Sequence, residues 1–296
     1  MISVVIPTYN YNISSLVAQI HEQIMELDIQ FEIIVCEDAS DKFTDENKKI
    51  AELSNTHYSK LDKNIGRTAL RASLANKAKY NWLLFLDADV LPKNKDFIQK
   101  YLTALQKTDS DVIFGGVSYT KEKPEANKML RWKYGIEREA KPVAEREKDP
   151  YFIISQNLFV KKEVFIESNT LIENYYGLDN FFSNQLKKMN DKVTHIDNPV
   201  INFGLEQNET FVKKALNAVE TTVILEKKGL MDNNMRPIQK SYLKLEKYGL
   251  ANSFSFIISR LKSRMESNFN SENPNLFWFD LYRLQYFIQL KKNKDS

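Results

Sequence analysis

The chain has 296 residues, with 42 Lys or Arg against 39 Asp or Glu, and a formal net charge of +3. A nearly balanced charge argues against a dedicated nucleic-acid-binding protein. The single cysteine, Cys36, excludes an internal disulfide framework and fits a reducing compartment. Pro7 interrupts the first apolar run, which favours a strand over a signal peptide. No stretch approaches the roughly 18 consecutive apolar residues of a membrane span. We therefore expect a cytoplasmic protein.

Strand and helix patterns alternate through the first half of the chain. Runs of β-branched or apolar residues predict strands over residues 2–6, 31–36, 56–59, 82–86 and 111–114. Helical spacing predicts helices over residues 13–27, a short one after 44, and others over 67–78 and 96–105. Alternation with short connections predicts an α/β protein with a parallel sheet and right-handed crossovers.

The second half changes character twice. Residues 121–148 are a dense mixture of Lys, Arg and Glu, for which we expect a solvated, mobile segment, with a lid over a binding site as the alternative. A strand or strand pair over 151–160, a helix over 178–189 and a strand over 193–196 follow. Helical periodicity then predicts helices over 211–227, 238–248, 253–265 and 276–290. The predicted domains are 1–207 and a helical region, 208–296.

The run Trp82–Leu86 ends abruptly in two carboxylates, Asp87 and Asp89. At the carboxyl end of a buried parallel strand, they would enter the crevice where open α/β sheets bind ligands. Two carboxylates there repel each other, so a hard divalent cation that carries phosphate oxygens is expected beside them. A polar turn after a strand is the alternative. Three more predicted strand ends carry polar residues, at 7–10, 37–38 and 64–67, which together indicate one site.

Four motifs occur at these strand ends: Val4-Val5-Ile6-Pro7-Thr8-Tyr9-Asn10, Glu32-Ile33-Ile34-Val35 with Asp38, Asn64-Ile65-Gly66 with Arg71, and Asp87-Ala88-Asp89. In order and spacing they resemble glycosyltransferase family 2 over roughly residues 1–205. The resemblance implies the GT-A fold, a Rossmann-like, mostly parallel sheet flanked by helices, here with a C-terminal helical extension. It also implies an inverting, metal-dependent transfer of a sugar from a nucleotide sugar, expected to be a UDP-sugar. The acceptor would be a hydroxyl of a glycan or lipid-linked molecule, in cell-surface polysaccharide synthesis.

The resemblance assigns a nucleotide pocket. Asp38 would accept a hydrogen bond from a uracil imide, or else cap a turn. Of Arg67 and Arg71, one would neutralise the diphosphate and the other would pair with the acidic loop; a structural salt bridge is the alternative. Asp87 would face the ribose and the metal, and Asp89 would bind Mn²⁺ or Mg²⁺ directly. The full set of nucleotide-binding residues is Pro7, Thr8, Tyr9, Asp38, Gly66, Arg67, Arg71 and Asp87.

Three further residues follow from the second half of the resemblance. Asp179 matches the general base, although Leu178 stands where the family often has Glu, and an N-cap is the alternative role. Asn202 occupies the place of a metal-binding histidine of many relatives, and an amide oxygen is a weaker ligand for a hard cation. Asn157 lies in the acceptor-side segment, where a satisfied loop amide is the expected role. His195 is expected to be structural rather than a ligand.

The aromatic segment 277–288, followed by Lys291 and Lys292, is expected to pack on protein, through a face at residues 277, 281, 284 and 288. The protein partner would be the catalytic domain or a second copy in a homodimer. Peripheral contact with the cytoplasmic face of a membrane is the alternative. For the whole chain, the competing functions are a nucleotidyltransferase, which would normally carry a Gly-rich phosphate loop, and a non-catalytic nucleotide-sugar-binding relative.

Overall fold

A computed structural model describes residues 1–171, 173 and 175–292. The chain divides into two compact units, each considered by itself below. The first contains Met1–Thr120, Glu139–Asn174 and Gln185–Gly204; the second contains Lys121–Arg138, Tyr175–Asn184 and Leu205–Ser296. The second unit thus includes two segments that precede residue 207, and the two-domain division at that residue stays a prediction.

The predicted strands and helices occur in the predicted order, with additional short elements between them. The strands are β1 Ile2–Thr8, β2 Phe31–Glu37, β3 Thr56–Lys60, β4 Trp82–Leu86, β5 Val90–Pro92, β6 Val112–Phe114, β7 Val117–Tyr119, β8 Asn157–Lys161, β9 Val193–His195 and β10 Val200–Asn202. The helices are α1 Ser14–Met25, α2 Thr44–Lys48, α3 Arg67–Lys77, α4 Phe97–Lys107, α5 Met129–Tyr134, α6 Val143–Arg146, α7 Lys162–Ser168, α8 Asp179–Met189, α9 Asn208–Lys227, α10 Pro237–Lys247, α11 Ala251–Phe269 and α12 Leu276–Lys292. None of the helices in the described part of the chain is long and apolar enough to cross a bilayer.

A seven-stranded sheet, in the order β3-β2-β1-β4-β8-β6-β9, forms the centre of the first unit. Strand β1 runs parallel to β2 and to β4, and every residue of β1 and β2 is buried, as in a sheet covered on both faces. Strand β3 is at the edge. Strand β8 is antiparallel to both of its neighbours, so the sheet is mostly rather than wholly parallel. The parallel arrangement brings the ends of β1, β2 and β4 to one edge.

A second sheet of three short strands, β5-β10-β7, lies in the same unit. Strand β10 is antiparallel to β5 and parallel to β7. The pairing places Asn202 opposite Val90, the residue directly after Asp89. Strands of three residues are too short for periodicity to reveal them, and β5 also contains Pro92.

The prediction of a mobile segment over residues 121–148 is wrong. The segment forms α5 and α6, and its buried residues include Leu130, Arg131 and Arg146. Arg146 donates from Nη1 to the Phe114 carbonyl oxygen (3.0 Å) and from Nη2 to the Ile196 carbonyl oxygen (2.9 Å). The high charge density therefore includes an arginine that satisfies buried carbonyl groups, which composition alone does not distinguish from a solvated one. The lid alternative stays a prediction.

In the second unit, α12 packs against α5, α9, α10 and α11. Phe279, Phe287 and Ile288 of α12 are fully buried, and the Phe279 ring lies 5.4 Å from that of Phe211, between ring centroids. The aromatic tail therefore packs as protein core, as expected, but against helices of its own unit. The predicted face was wrong at one end, because Phe277 lies in solvent. The homodimer stays a prediction.

Candidate functional site

Asp87, directly after β4, is held by two arginines of α3. Arg71 Nη2 donates to Asp87 Oδ1 (2.6 Å), and Arg67 Nη2 donates to both carboxylate oxygens (3.0 and 2.7 Å). The two arginines also contact Ser155, through its hydroxyl and its carbonyl oxygen. Burial raises the pKa of Asp87, but the charges of Arg67 and Arg71 lower it by more, so the pKa lies below its usual value. Asp87 is therefore an anion around which this edge of the sheet is organised.

The two arginines differ in exposure. The side chain of Arg71 is 6% exposed, whereas that of Arg67 is 47% exposed. The Arg71 guanidinium also lies over the Phe85 ring, 5.3 Å from its centroid. Arg71 is thus fixed in the protein interior beside Asp87. Arg67 reaches the same carboxylate from the solvent-exposed side.

Asp38, after β2, closes the loop that leads into α3. Its Oδ1 accepts from the backbone N–H of Ile65 (2.7 Å) and its Oδ2 from that of Gly66 (2.8 Å). Gly66 has φ of 84°, a conformation that favours glycine, and precedes the first helical residue. These contacts match the alternative role of Asp38 as a turn cap. Each carboxylate oxygen has a second lone pair, so the role in base recognition stays a prediction.

The end of β1 combines buried and exposed residues. Pro7 and Thr8 are buried within β1, and the Thr8 carbonyl oxygen accepts from the Asp38 backbone N–H (2.8 Å). The Tyr9 side chain follows at the surface, with 54% of its area exposed. Asn10 has φ of 50°, and its Oδ1 accepts from the backbone N–H groups of two residues in the loop after β2. The loops after β1 and β2 are thus joined, with the Tyr9 ring left free to contact a ligand.

Asp89 and Asn202 present oxygen atoms of the kind that Mg²⁺ and Mn²⁺ prefer. The Asn202 side chain donates from Nδ2 to Gln156 Oε1 (2.9 Å), which leaves its buried Oδ1 without a hydrogen-bond partner among the described residues. The Phe203 backbone N–H donates to the Asp89 carbonyl oxygen (2.8 Å). Asp89 Oδ2 lies so close to Gly204 that a Cβ there would be 1.7 Å away. An orphaned buried amide oxygen, on the strand that pairs with the segment following Asp89, fits a divalent cation.

Within the described ranges, no three His, Cys, Asp or Glu side chains form a metal-binding group. A cation at this edge would therefore depend on two carboxylates, one amide and the oxygens of its ligand.

Two residues at this edge of the sheet were not predicted from the sequence. Gln156 orients the Asn202 amide. Burial and then the negative charge of Asp89 raise the pKa of the Tyr11 hydroxyl, so Tyr11 lies near Asp89. Only the position of Tyr11, two residues after Tyr9, offered a signal.

Asn157 is the satisfied amide that we expected. Its Oδ1 accepts from the Tyr101 hydroxyl (2.6 Å), and its Nδ2 donates to the carbonyl oxygens of Gly116 (2.8 Å) and Asn198 (2.9 Å). Because the side chain is fully buried, these bonds join β8 to the loops that follow β6 and β9. Asn157 therefore supports the sheet rather than facing an acceptor.

His195 is structural, as expected. Its Nε2 lies 2.8 Å from the Pro150 carbonyl oxygen, and its Nδ1 lies 3.2 Å from Arg146 Nη1. Burial lowers the pKa of His195, and the neighbouring Arg146 charge adds to this. The neutral tautomer with hydrogen on Nε2 satisfies both contacts. Both ring nitrogens are therefore used by the protein.

Asp179 belongs to the second unit, where it is the first residue of α8. The first helical hydrogen bond runs from the Phe182 N–H to the Leu178 carbonyl oxygen (2.9 Å), so Leu178 rather than Asp179 takes the N-cap position. Leu178 is buried. Gly177 has φ of 87°, and a Cβ there would lie 2.9 Å from that of Ala218 in α9. The turn that carries Asp179 is therefore packed tightly on α9.

The sequence matches the family model of glycosyl transferase family 2 over residues 3–175, more than half of the chain. A comparison with curated proteins returned no match. Among solved structures, the mannosyltransferase PcManGT from Pyrobaculum calidifontis, in complex with GDP-Man and Mn²⁺, is similar with a TM-score of 0.59 and 17% identity. The match covers 99% of this chain and 86% of that one.

Two other structures are similar at lower scores. Mannosyl-3-phosphoglycerate synthase from Rubrobacter xylanophilus has a TM-score of 0.54 and 13% identity, over 78% of this chain and 76% of that one. S. aureus TarS 1–349, in complex with UDP-GlcNAc, has a TM-score of 0.50 and 15% identity, over 99% of this chain and 91% of that one. The chain spans 39% of the length of a longer S. aureus TarS structure. At these identities the likeness shows the fold, which is GT-A.

The family match covers β1 to β4 and continues through β8 to residue 175. It thus includes Asp87, Asp89 and both arginines of α3, while the mostly parallel sheet and the C-terminal helices confirm the predicted fold class. The chain therefore belongs to glycosyltransferase family 2 and is a glycosyltransferase with the GT-A fold.

Proposed function

We propose that this enzyme transfers a sugar from a UDP-sugar to a hydroxyl of a glycan or lipid-linked acceptor, with inversion, in cell-surface polysaccharide synthesis. The observation that supports this most is the Asp87 carboxylate held by Arg67 and Arg71 at the strand edge where Tyr9 and Asp38 also lie. Carboxylates and cations alternate there, as a ribose and a diphosphate require. The similar structures carry GDP-Man and UDP-GlcNAc, which supports a nucleotide sugar and leaves the base to be tested.

The diphosphate is the leaving group in this proposal. Arg67 supports that assignment, because its guanidinium is half exposed at this edge, where it contacts Asp87 and Ser155. The planar guanidinium fork of an arginine matches the geometry of phosphate oxygens. Arg71 would keep Asp87 ionised, and Asp87 would then accept hydrogen bonds from the ribose hydroxyls.

Mn²⁺ or Mg²⁺ is the proposed cofactor. Asp89 and Asn202 Oδ1 would hold it, with Asp87 as a further oxygen ligand. When bound, the cation would neutralise the charge that develops on the diphosphate. Tyr9 would stack on the nucleoside, and Pro7, Thr8 and Gly66 would shape its pocket.

Asp179 is the proposed general base. It would take the proton of the acceptor hydroxyl while the acceptor oxygen bonds to the anomeric carbon. The bond from that carbon to the diphosphate breaks, and its electron pair leaves with the diphosphate. A residue at the start of an 11-residue helix is rigidly mounted, which a positioned base needs.

Thermal unfolding with nucleotides tests the site. A ligand that binds only the folded state raises the melting temperature, so UDP with Mn²⁺ should stabilise the protein more than UDP with EDTA. Asp89→Ala should remove most of that metal-dependent difference, whereas Asn157→Ala, a change outside the proposed site, should keep it in the fraction that folds. The thermal shift with GDP, measured in parallel, shows whether the site prefers uracil or guanine as the nucleotide base. Equal shifts with Mn²⁺ and with EDTA would remove the metal from the proposal, and release of UDP from a panel of UDP-sugars would identify the donor.

A further inference from the structure

The turn between α10 and α11 exposes large apolar side chains. Phe256 and Ile257 in the second turn of α11 are 59% and 57% exposed. Tyr248 and Leu250, in the connection between the helices, are exposed as well. We call these four residues the α10–α11 surface. Four neighbouring exposed apolar residues at one turn differ from the single exposed ones that are common on any protein.

Helix α11 is apolar on two faces. Ile258, Met265 and Phe269 point into the core of the second unit. Phe256 and Ile257 lie on another face, where helical spacing also places Arg260 and Arg264, both exposed. The outer face is therefore amphipathic along its length, with apolar residues near the turn and cations further along. The helical core of the unit does not need this outer apolar pair.

The charge around the surface is predominantly positive. Residues 237–264 contain six basic residues and one acidic residue, Glu246, all of them exposed. The Arg260 guanidinium lies 4.5 Å from the Phe256 ring centroid, and the Lys247 ammonium lies 5.9 Å from that of Tyr248. The basic residues are Lys240, Lys244, Lys247, Arg260, Lys262 and Arg264.

The combination of exposed apolar side chains, aromatic rings and basic residues favours one class of binding partner over the others. A second copy in a two-fold dimer would bring the same cations face to face, which is unfavourable. A nucleic acid would use the cations and the aromatic rings, but Leu250 and Ile257 offer it no stacking surface. An anionic bilayer can contact the apolar side chains, the aromatic rings and the cations together. The apolar side chains enter the headgroup boundary, while Lys and Arg remain at the phosphates.

We propose that the α10–α11 surface docks on an anionic lipid bilayer, with Leu250, Phe256 and Ile257 inserted at the headgroup boundary. The inference does not depend on the donor or on the reaction proposed above. It also moves the expected membrane contact away from α12, whose aromatic residues are mostly buried in the unit. Each basic residue near an anionic surface strengthens binding by about fivefold.

Co-sedimentation of the full chain with vesicles tests the proposal. Vesicles of phosphatidylcholine containing phosphatidylglycerol should pellet the protein, phosphatidylcholine alone should pellet much less, and salt should weaken the binding. The double variant Phe256→Ser/Ile257→Ser and the variant Arg260→Glu should each reduce binding at least tenfold. Phe277→Ser is the matched control, since Phe277 is 64% exposed on α12 and lies outside the surface.

Melting curves show that each variant folds, and an unchanged thermal shift with UDP and Mn²⁺ shows that the donor site is separate. Absence of binding to the anionic vesicles would overturn the proposal, as would full binding by the double variant. Two other results would also overturn it in favour of a different partner: a dimer that the double variant loses, or binding to a single-stranded oligonucleotide in preference to the vesicles.

Discussion

Replacing Gly204 with alanine tests the geometry of the proposed cation site. A Cβ at this position would lie 1.7 Å from Asp89 Oδ2, whereas real Cβ contacts are essentially never under 3.0 Å. The carboxylate or the backbone must therefore move by at least about 1.3 Å, the difference between these distances. Because Asp89 is a side chain that can rotate, folding should lose only about 0.5–1.5 kcal/mol, the usual cost of a strained rotamer.

The rate of sugar transfer should fall by much more than the free energy of unfolding does. A displacement of about 1 Å in a catalytic site costs about 100-fold in rate, which corresponds to about 2.7 kcal/mol of transition-state free energy. We expect Gly204→Ala to melt within a few degrees of the wild type and to lose about 100-fold in Mn²⁺-dependent transfer, with weaker Mn²⁺ binding by calorimetry in the presence of UDP. Gly229→Ala is the control, because its Cβ would meet nothing within 4 Å, although φ of 67° adds strain. Wild-type Mn²⁺ affinity in a folded Gly204→Ala protein would refute this reasoning.

Three other outcomes are expected. Asp179→Asn should fold and bind nucleotide yet transfer sugar at least about 100-fold more slowly, and a near-normal rate of product formation would place the base elsewhere. Phe279→Ala, at a fully buried position, should lose about 3–5 kcal/mol of unfolding free energy, while Phe277→Ala, at an exposed one, should lose almost none in the same denaturant titration. Burial raises the pKa of Asp111, but hydrogen bonds from Lys161 and a backbone N–H lower it by more, to below 3.8. The stabilisation from Asp111 is therefore present above pH 3.8 and lost as the pH falls through the lower folded value, so the stability difference between wild type and Asp111→Asn should shrink as titrations move from pH 6 to pH 3.

Periodicity predicted the elements that are long enough to repeat. Strands β1, β2 and β4 and helices α9 to α12 lie within a few residues of their predicted bounds, because each buries a continuous run or stripe. The three strands of the small sheet were not predicted. Their pairing depends on residues more than 80 positions apart, and such contacts leave no local pattern.

The proposed site was predictable where its residues follow strands directly. Asp87 and Asp38 come after apolar runs, so the sequence marks them. The contacts that hold these residues were less visible. Both arginines converge on Asp87, and Asp38 binds backbone N–H groups rather than a side chain, which only the folded chain reveals. Gln156 orients Asn202 from 46 residues away and had no distinguishing signal.

The small sheet also sets an order of events during synthesis. Strand β10 must pair with both β5 and β7 before Asn202 comes next to Asp89. The ribosome has by then produced more than two thirds of the chain, whereas β1 to β4 are complete by residue 86. Nascent chains fold progressively from the N-terminus, so the proposed nucleotide half of the site is free to form early. Competence to hold the proposed cation would arrive only with residue 202, and Mn²⁺ retention would then be a measure of completed folding.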